Sequence, residues 1–474
     1  MSLDALLNAL KVTVGAQYVI TDADVIAPHL GEQRGLYQGT SPALVKPKNT
    51  LEVSEIVKIC ASHAMPMVVH GGNTGLVGGG VPNGALILCL DRMDTVERVD
   101  AVNLTLTVQA GAILANVQAA ARQAGAYFPL SLGAEGSCQI GGNLSTNAGG
   151  VHVLRYGNAG ELVLGLEVVL PDGRIWNGLK ALRKNNTGYN LKALFLGAEG
   201  TLGIITRAVL RLYPEPKSTA VALVGCASFA AALQTFHTTR KRAADVLNAC
   251  EVISGFALNL AEKHVEGVKS PLQGQHEAYL LLEFSSADAD ADLNALMEAA
   301  LADAFAAEFV EDAVIAQNGT QSDAIWAVRE AIPEAQKREG GSIKHDVSVA
   351  VSEVPNFITQ ATALVDNLIP GVRVCAFGHL GDGNIHFNLS QPENMDTQVF
   401  LDLWQSTNRA VHDLVAEMGG SFSAEHGVGQ LKRDEMKRLK DPVELDLMRA
   451  VKARFDSKNL MNPGKVLPPK GEQP

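Results

Sequence analysis

His379 and His386 flank the segment Leu380-Gly381-Asp382-Gly383-Asn384-Ile385, and that spacing has chemical meaning. Gly381-Asp382-Gly383-Asn384 has the composition of a tight turn, because glycine accepts positive φ and Asp or Asn side chains bond their own backbone. A four-residue turn there pairs Leu380 with Ile385 and sets His379 opposite His386. Cross-strand neighbours stand about 4.5–5.5 Å apart at Cβ, so the two imidazoles can share one divalent cation. Asn388, two residues on, joins the same face, while Leu380, Ile385 and Phe387 turn to the core. A third ligand is needed. Ser423-Ala424-Glu425-His426-Gly427-Val428-Gly429 offers a carboxylate and an imidazole in a flexible turn. A His, His, Glu set leaves coordination positions open, as catalytic sites do. Read alone, Glu425 and His426 equally suit an exposed loop.

A different chemistry is written in glycine. His70 to Gly80 holds six glycines in eleven residues directly after the apolar run Pro66 to Val69, and Gly133 to Gly150 holds six more among hydroxyl and amide side chains. Such loops let backbone N–H groups converge on phosphate oxygens. Neither loop has the Gly-Lys-Ser/Thr ending of a P-loop, and no Gly-x-Gly-x-x-Gly occurs, which disfavours a nicotinamide-binding Rossmann fold. Two cradles suit a ligand with a pyrophosphate and polar ends.

The elements that must position these residues fall into an α+β pattern. Apolar runs at Met67–Val69, Ala85–Leu90, Leu104–Val108, Leu162–Leu170 and Gly203–Leu210 read as strands, with amphipathic helices over Thr50–His63 and Ala115–Ala124. The two prolines of Arg211 to Lys217 mark a domain exit. Beyond it, strands at Thr219–Val224, Ala278–Phe284, Val347–Val351 and Val372–Phe377 alternate with Ala-rich helices, Phe229–Arg242 and Asp290–Ala307. This predicts a second, antiparallel sheet with helices on one side. The expected divisions are an N-terminal helical segment (1–36), a glycine-loop domain (37–216), a cap domain (217–417) and a C-terminal segment (418–474) that completes the site.

Composition narrows the function classes. With 474 residues, 47% of them hydrophobic, the chain can fill two or three cores. A net charge of -12 repels phosphate backbones, so nucleic acid is not an expected partner. Six scattered cysteines suggest neither a zinc ribbon nor disulfides. The first ten residues lack the basic start and cleavage site of a signal peptide, and no apolar run reaches spanning length; a cytoplasmic location is the expectation.

Taken in order, the two glycine loops, Leu154-Arg155-Tyr156-Gly157, Asn186-Thr187-Gly188-Tyr189 and Gly197-Ala198-Glu199-Gly200-Thr201-Leu202-Gly203-Ile204-Ile205-Thr206 resemble the FAD domain of the vanillyl-alcohol oxidase (PCMH-type) flavoproteins. The resemblance implies FAD contacts at Gly71, Gly72, Asn73, Thr74, Gly75, Leu76, Gly136, Ser137, Ile140, Gly141, Gly142, Asn143, Thr146, Asn147, Gly203 and Ile205. Some members attach flavin through a histidine that follows the Gly-Gly pair. His70 precedes Gly71-Gly72, so noncovalent FAD is expected.

The histidine hairpin and the Glu425-His426 turn, with Trp326-Ala327-Val328-Arg329-Glu330, Lys344-His345-Asp346 and Asn462-Pro463, are similar to the FAD-linked D-2-hydroxy acid dehydrogenases, the D-2-hydroxyglutarate dehydrogenases above all. This likeness runs from about Leu44 to Leu467. It implies His379, His386 and Glu425 as metal ligands (zinc, or cobalt or manganese), His426 as the base, and Asn388 at the substrate C1 carboxylate. Arg329 and Lys344 would grip a distal carboxylate, and Asn462 would contact the cofactor. Arg329 alone also reads as a surface salt bridge. The implied reaction is hydride loss from C2 of a D-2-hydroxy acid, D-2-hydroxyglutarate first. An electron-transfer flavoprotein or quinone would be the acceptor, and a homodimer is common in such families. One departure stands out: the family's threonine four residues after the arginine is Pro333 here. D-lactate, D-malate and glycolate are therefore alternatives, and a noncatalytic flavin-binding subunit is the reading from another class.

Overall fold

Short β-branched runs between glycines form strands wherever both faces can be covered, and this chain repeats that solution in two compact units. The computed structural model describes residues 2–469. The first unit comprises residues up to Gly150, Gly157–Glu215 and the described residues from Glu425 on; the second is Val151–Tyr156 with Pro216–Ala424. Each is mixed helix and sheet. Among the described residues no helix is long and apolar enough to cross a membrane, and all six cysteines are buried thiols.

In the first unit a four-stranded sheet runs in the order Val19–Ile20, Leu44–Val45, Leu86–Cys89, Met67–His70. Its last three strands are parallel, a pairing that needs a crossover. Helix Thr50–Ser62 supplies one: Asn49 accepts the Glu52 N–H at 2.9 Å to start it, and Val53, Ile56, Val57 and Cys60 bury one face. A five-stranded antiparallel sheet follows, in the order Val96–Asp100, Thr105–Gln109, Ile204–Arg211, Val163–Val169, Ile175–Gly178. The late segment returns to the first sheet. After helix Pro442–Phe455, the Met67 N–H donates to Leu460 O at 2.8 Å and the Asn462 N–H to Met67 O at 2.8 Å.

The second unit is an antiparallel sheet of eight strands. The order is Asp312–Ile315, Ser218–Cys226, Ala278–Ser286, Leu247–Ser254, Arg373–His379, Asn384–Ser390, Ser342–Ile343, with Asp346–Ser348 also on Asn384–Ser390. Helices cover both faces, which corrects the one-sided expectation. Ala220, Ala222 and Val224 pack with Phe236, Met297, Phe357 and Val411; Val221 and Leu223 pack with Leu258, Ile325, Val328 and Ile332. The unbroken run Ala278-Tyr279-Leu280-Leu281-Leu282 carries that two-sided burial, since a one-sided strand would alternate. Each fully buried Phe or Leu contributes about 1.5–3 kcal/mol.

The hairpin forms, two residues away from the expected register. His379 pairs with Asn384 and Phe377 with His386, so the histidines are diagonal neighbours on one face rather than direct partners. The turn begins a residue early because His379 O accepts both the Asp382 and Gly383 N–H groups, at 3.2 and 3.0 Å, with Gly383 at φ 85°. Asn384 is drawn into the strand by its own amide, which donates to Asp346 Oδ1 and Val347 O.

Candidate active site

The strand Leu247–Ser254 places Glu251 across from His379. Glu251 Oε1 lies 2.6 Å from His379 Nδ1, and Oε2 accepts from Arg329 Nε at 2.8 Å. Burial alone would raise this carboxyl; the charges of His379 and Arg329 and their hydrogen bonds overcome it and hold it below the usual carboxylate range. Arg329 is 7% exposed, with its guanidinium carbon 4.7 Å from the centre of the Phe377 ring. The expected surface salt bridge is thus a buried one. The Phe377 ring packs tilted against His386 with centres 5.0 Å apart, and the His386 ring centre is 5.7 Å from that of His379. Asp346 pairs with His386 in register, its Oδ1 4.0 Å from His386 Nδ1.

Lys344 and Arg329 both act on buried Cys375; burial pushes that thiol up to about 12, and the two cations pull the other way. Asn388 is buried and committed internally: its amide donates to Gln336 Oε1 at 3.0 Å and its Oδ1 accepts from the His345 N–H at 3.2 Å. Its geometry is that of a brace between strand and helix.

In the first unit the glycine loops interlock. A Cβ on Gly72 would lie 2.1 Å from Ser137 O, and one on Gly141 would lie 2.8 Å from the Ala110 side chain. Gly75, Gly136 and Gly142 face open space instead. Asn73 and Asn147 adopt positive φ; Asn73 donates to Gly31 O, and Asn147 accepts from the Gly160 N–H. Ile140, Asn143, Gly203 and Ile205 are buried behind the loops, and Thr146 bonds Gly142 O within its own turn. Asn462 ties the first loop to the third motif, donating to Gly79 O and Glu199 O. Gln139 Oε1 and Asn462 Oδ1 are buried acceptors without a protein partner, as a cradle for a ligand rich in donors requires.

The Glu425-to-Gly429 turn is fastened at both ends. Glu425 Oε1 accepts the Gly150 N–H at 2.8 Å, and Glu199 accepts from Val428 and Gly429 at 2.7 and 2.8 Å. His426 is half-buried between them in the sequence. In the second unit, the Ala424 N–H donates to Asp346 O at 3.3 Å, on the strand paired with His386.

Residues 215–466 match the FAD linked oxidases C-terminal domain, and residues 41–178 match the FAD binding domain. The chain belongs to the FAD-linked oxidase family. It is an FAD-dependent dehydrogenase. A D-2-hydroxyglutarate dehydrogenase of Danio rerio, mitochondrial by its name, is 38% identical over 450 residues, covering 95% of this chain and 83% of its own. One from Stutzerimonas stutzeri is 35% identical over 463 residues, covering 98% of each chain. Among solved structures, p-cresol methylhydroxylase with substrate bound superposes with a TM-score of 0.79 at 18% identity, over 98% of this chain and 96% of that one. That likeness establishes the PCMH-type fold.

For a member of the FAD-linked oxidase family, sequence reasoning missed two carboxylates. Glu251 lies in a strand that the apolar-run reading passed over, although Ala249-Cys250-Glu251-Val252-Ile253 is such a run with one acid inside it. In the sequence Glu199 is one residue of a glycine motif; the structure makes it the clamp on the Glu425 turn.

Proposed function

We propose that this FAD-linked oxidase family member oxidises a D-2-hydroxy acid to the 2-oxo acid, with D-2-hydroxyglutarate as the first candidate. The observation that carries the reading is the pair of imidazoles on one face of the hairpin, one of them held through Nδ1 by a buried carboxylate. His379 and His386, with Glu425 as the third donor, would hold a zinc, cobalt or manganese ion. When bound, the metal supplies Lewis acidity to the C2 hydroxyl and the noncovalent flavin a two-electron sink.

The chain supplies the rest. His426 takes the hydroxyl proton, since an imidazole can be unprotonated at working pH and hold the proton afterwards. Arg329 and Lys344 hold the distal carboxylate, a role to which the planar guanidinium fork is suited. A second reading, D-lactate, D-malate or glycolate, is favoured by Pro333. It lies inside helix Gly319–Glu339, one turn beyond Arg329, where it can give neither a hydroxyl nor an N–H. The acceptor in this reading is an electron-transfer flavoprotein or a quinone.

Anaerobic flavin bleaching by a panel of D- and L-2-hydroxy acids tests the proposal. Bleaching by D-2-hydroxyglutarate and by no L-acid is expected; indifference to every D-acid would sink it. Chelator dialysis should abolish turnover, and zinc should restore it. An unaffected enzyme removes the metal. His426→Ala should lower kcat by roughly 10²–10⁴-fold with flavin still bound.

A further inference from the structure

Glu251 is fully buried, and a carboxylate in that setting needs a reason. A buried ion pair replaced by apolar residues of similar volume is often neutral or more stable, so stability alone does not account for an acid between Cys250 and Val252. Its two oxygens are divided, one to His379 and one to Arg329. The bond to Nδ1 fixes the imidazole with its proton on that nitrogen, which makes Nε2 the electron-pair donor. The bond to Arg329 Nε sets the plane of the guanidinium, which Phe377 supports from its face. Because Glu251 and His379 are register partners on adjacent strands, the connection has little slack.

Glu283 provides an internal contrast. It lies on the neighbouring strand, is half-buried beside helix Gly319–Glu339, and accepts from Trp326 Nε1 at 2.9 Å. Its other partners are Asn248 and His152, neither of them a proposed ligand or substrate contact. The same helix is thus anchored twice, once at Trp326 and once at Arg329, and only the Arg329 anchor also holds a histidine of the hairpin.

We propose that Glu251 is a positioning residue that couples the metal-ligating imidazole to the substrate's distal carboxylate grip. This rests on the metal and substrate reading above. The test compares wild type, Glu251→Gln, Glu251→Asp and Glu283→Gln as FAD-loaded proteins. Zinc affinity is measured by competition with a chromophoric chelator, and the KM for D-2-hydroxyglutarate is set against that for D-lactate. Glu251→Gln should lose roughly 10–100-fold in zinc affinity, the scale seen when a ligand's outer partner is removed. It should also raise the dicarboxylate KM relative to the monocarboxylate KM. Glu283→Gln should lower Tm and change neither quantity.

A yellow, folded Glu251→Gln protein with wild-type zinc affinity and KM ratio overturns the inference, as does a Glu283→Gln protein with both losses. If Glu251→Gln does not fold, Glu251→Asp decides. One methylene shorter, it cannot reach both partners, so at least one measurement must worsen, and two wild-type values overturn the inference. Wild-type protein that holds no zinc overturns the metal reading itself and the His379 arm with it; the KM ratio then decides the Arg329 arm.

Discussion

Glu199 in the cofactor unit and Glu251 in the sheet unit are both removed from water, yet the first carboxyl is shifted up and the second down. Burial pushes each up. For Glu199 the counterweights are two backbone N–H groups and more distant lysines, and burial wins; for Glu251 they are an imidazole and a guanidinium in direct contact, and charge wins. One acid organises main chain and the other organises side chains. The contrast extends to the units around them: the first unit's loops are built from glycine backbone, where a Cβ on Gly72 or Gly141 would meet its neighbours, whereas the sheet unit presents named side chains from adjacent strands and a helix.

If that contrast is right, removing a side chain from the sheet unit should cost turnover and leave the flavin in place. His386→Ala should lower kcat/KM on the order of 10³-fold, several kcal/mol of lost stabilisation, in a protein that stays yellow. Loss of colour would break the distinction. Phe387→Ala, which empties a fully buried site behind the same strand, should cost the sheet unit about 3–5 kcal/mol in denaturant unfolding. Flavin release at a separate midpoint would sharpen the division of labour, and coincident release would blur it.

The cofactor unit has its own titration. Burial lowers the His70 pKa from 6.5 to about 4, against the bond to Gly80 O and with His29 adding to the fall. In the unfolded chain this histidine takes its proton at higher pH, so its contribution to stability is complete above pH 6.5 and is lost as pH falls toward 4. The difference of about 2.5 units corresponds to about 3 kcal/mol, and His70→Gln should flatten that limb of the stability–pH curve. An unchanged limb would place the acid sensitivity elsewhere. Smallest of all, Gly72→Ala should cost about 1–3 kcal/mol and lower flavin content, because its Cβ has no room beside Ser137 O. Gly133→Ala, which meets nothing within 4 Å, is the matched control.

The strands that periodicity identified were legible because their apolar runs are bounded by glycine and proline, as at Met67–His70 and Ser218–Cys226. The hairpin was legible from its turn residues, but its register was not. Gly381 and Gly383 allow the bend to start at either of two residues, and the choice falls to the Asn384 amide, whose partners Asp346 and Val347 lie far away in sequence. Glu251 was hidden for a related reason: nothing local distinguishes a buried acid from a strand interruption until its partners, 78 and 128 residues away, are known. Backbone cradles announce themselves in composition, whereas side-chain constellations assembled from separate strands do not.

The return of the late segment to Met67 has a consequence for biosynthesis. Leu460 and Asn462 complete bonds to a strand translated nearly four hundred residues earlier, and the Asn462 amide closes the first loop on Gly79. Domains generally fold as units while the ribosome is still working. The eight-stranded sheet can therefore mature while the first sheet still lacks these bonds, which form only after residue 462 has left the ribosome.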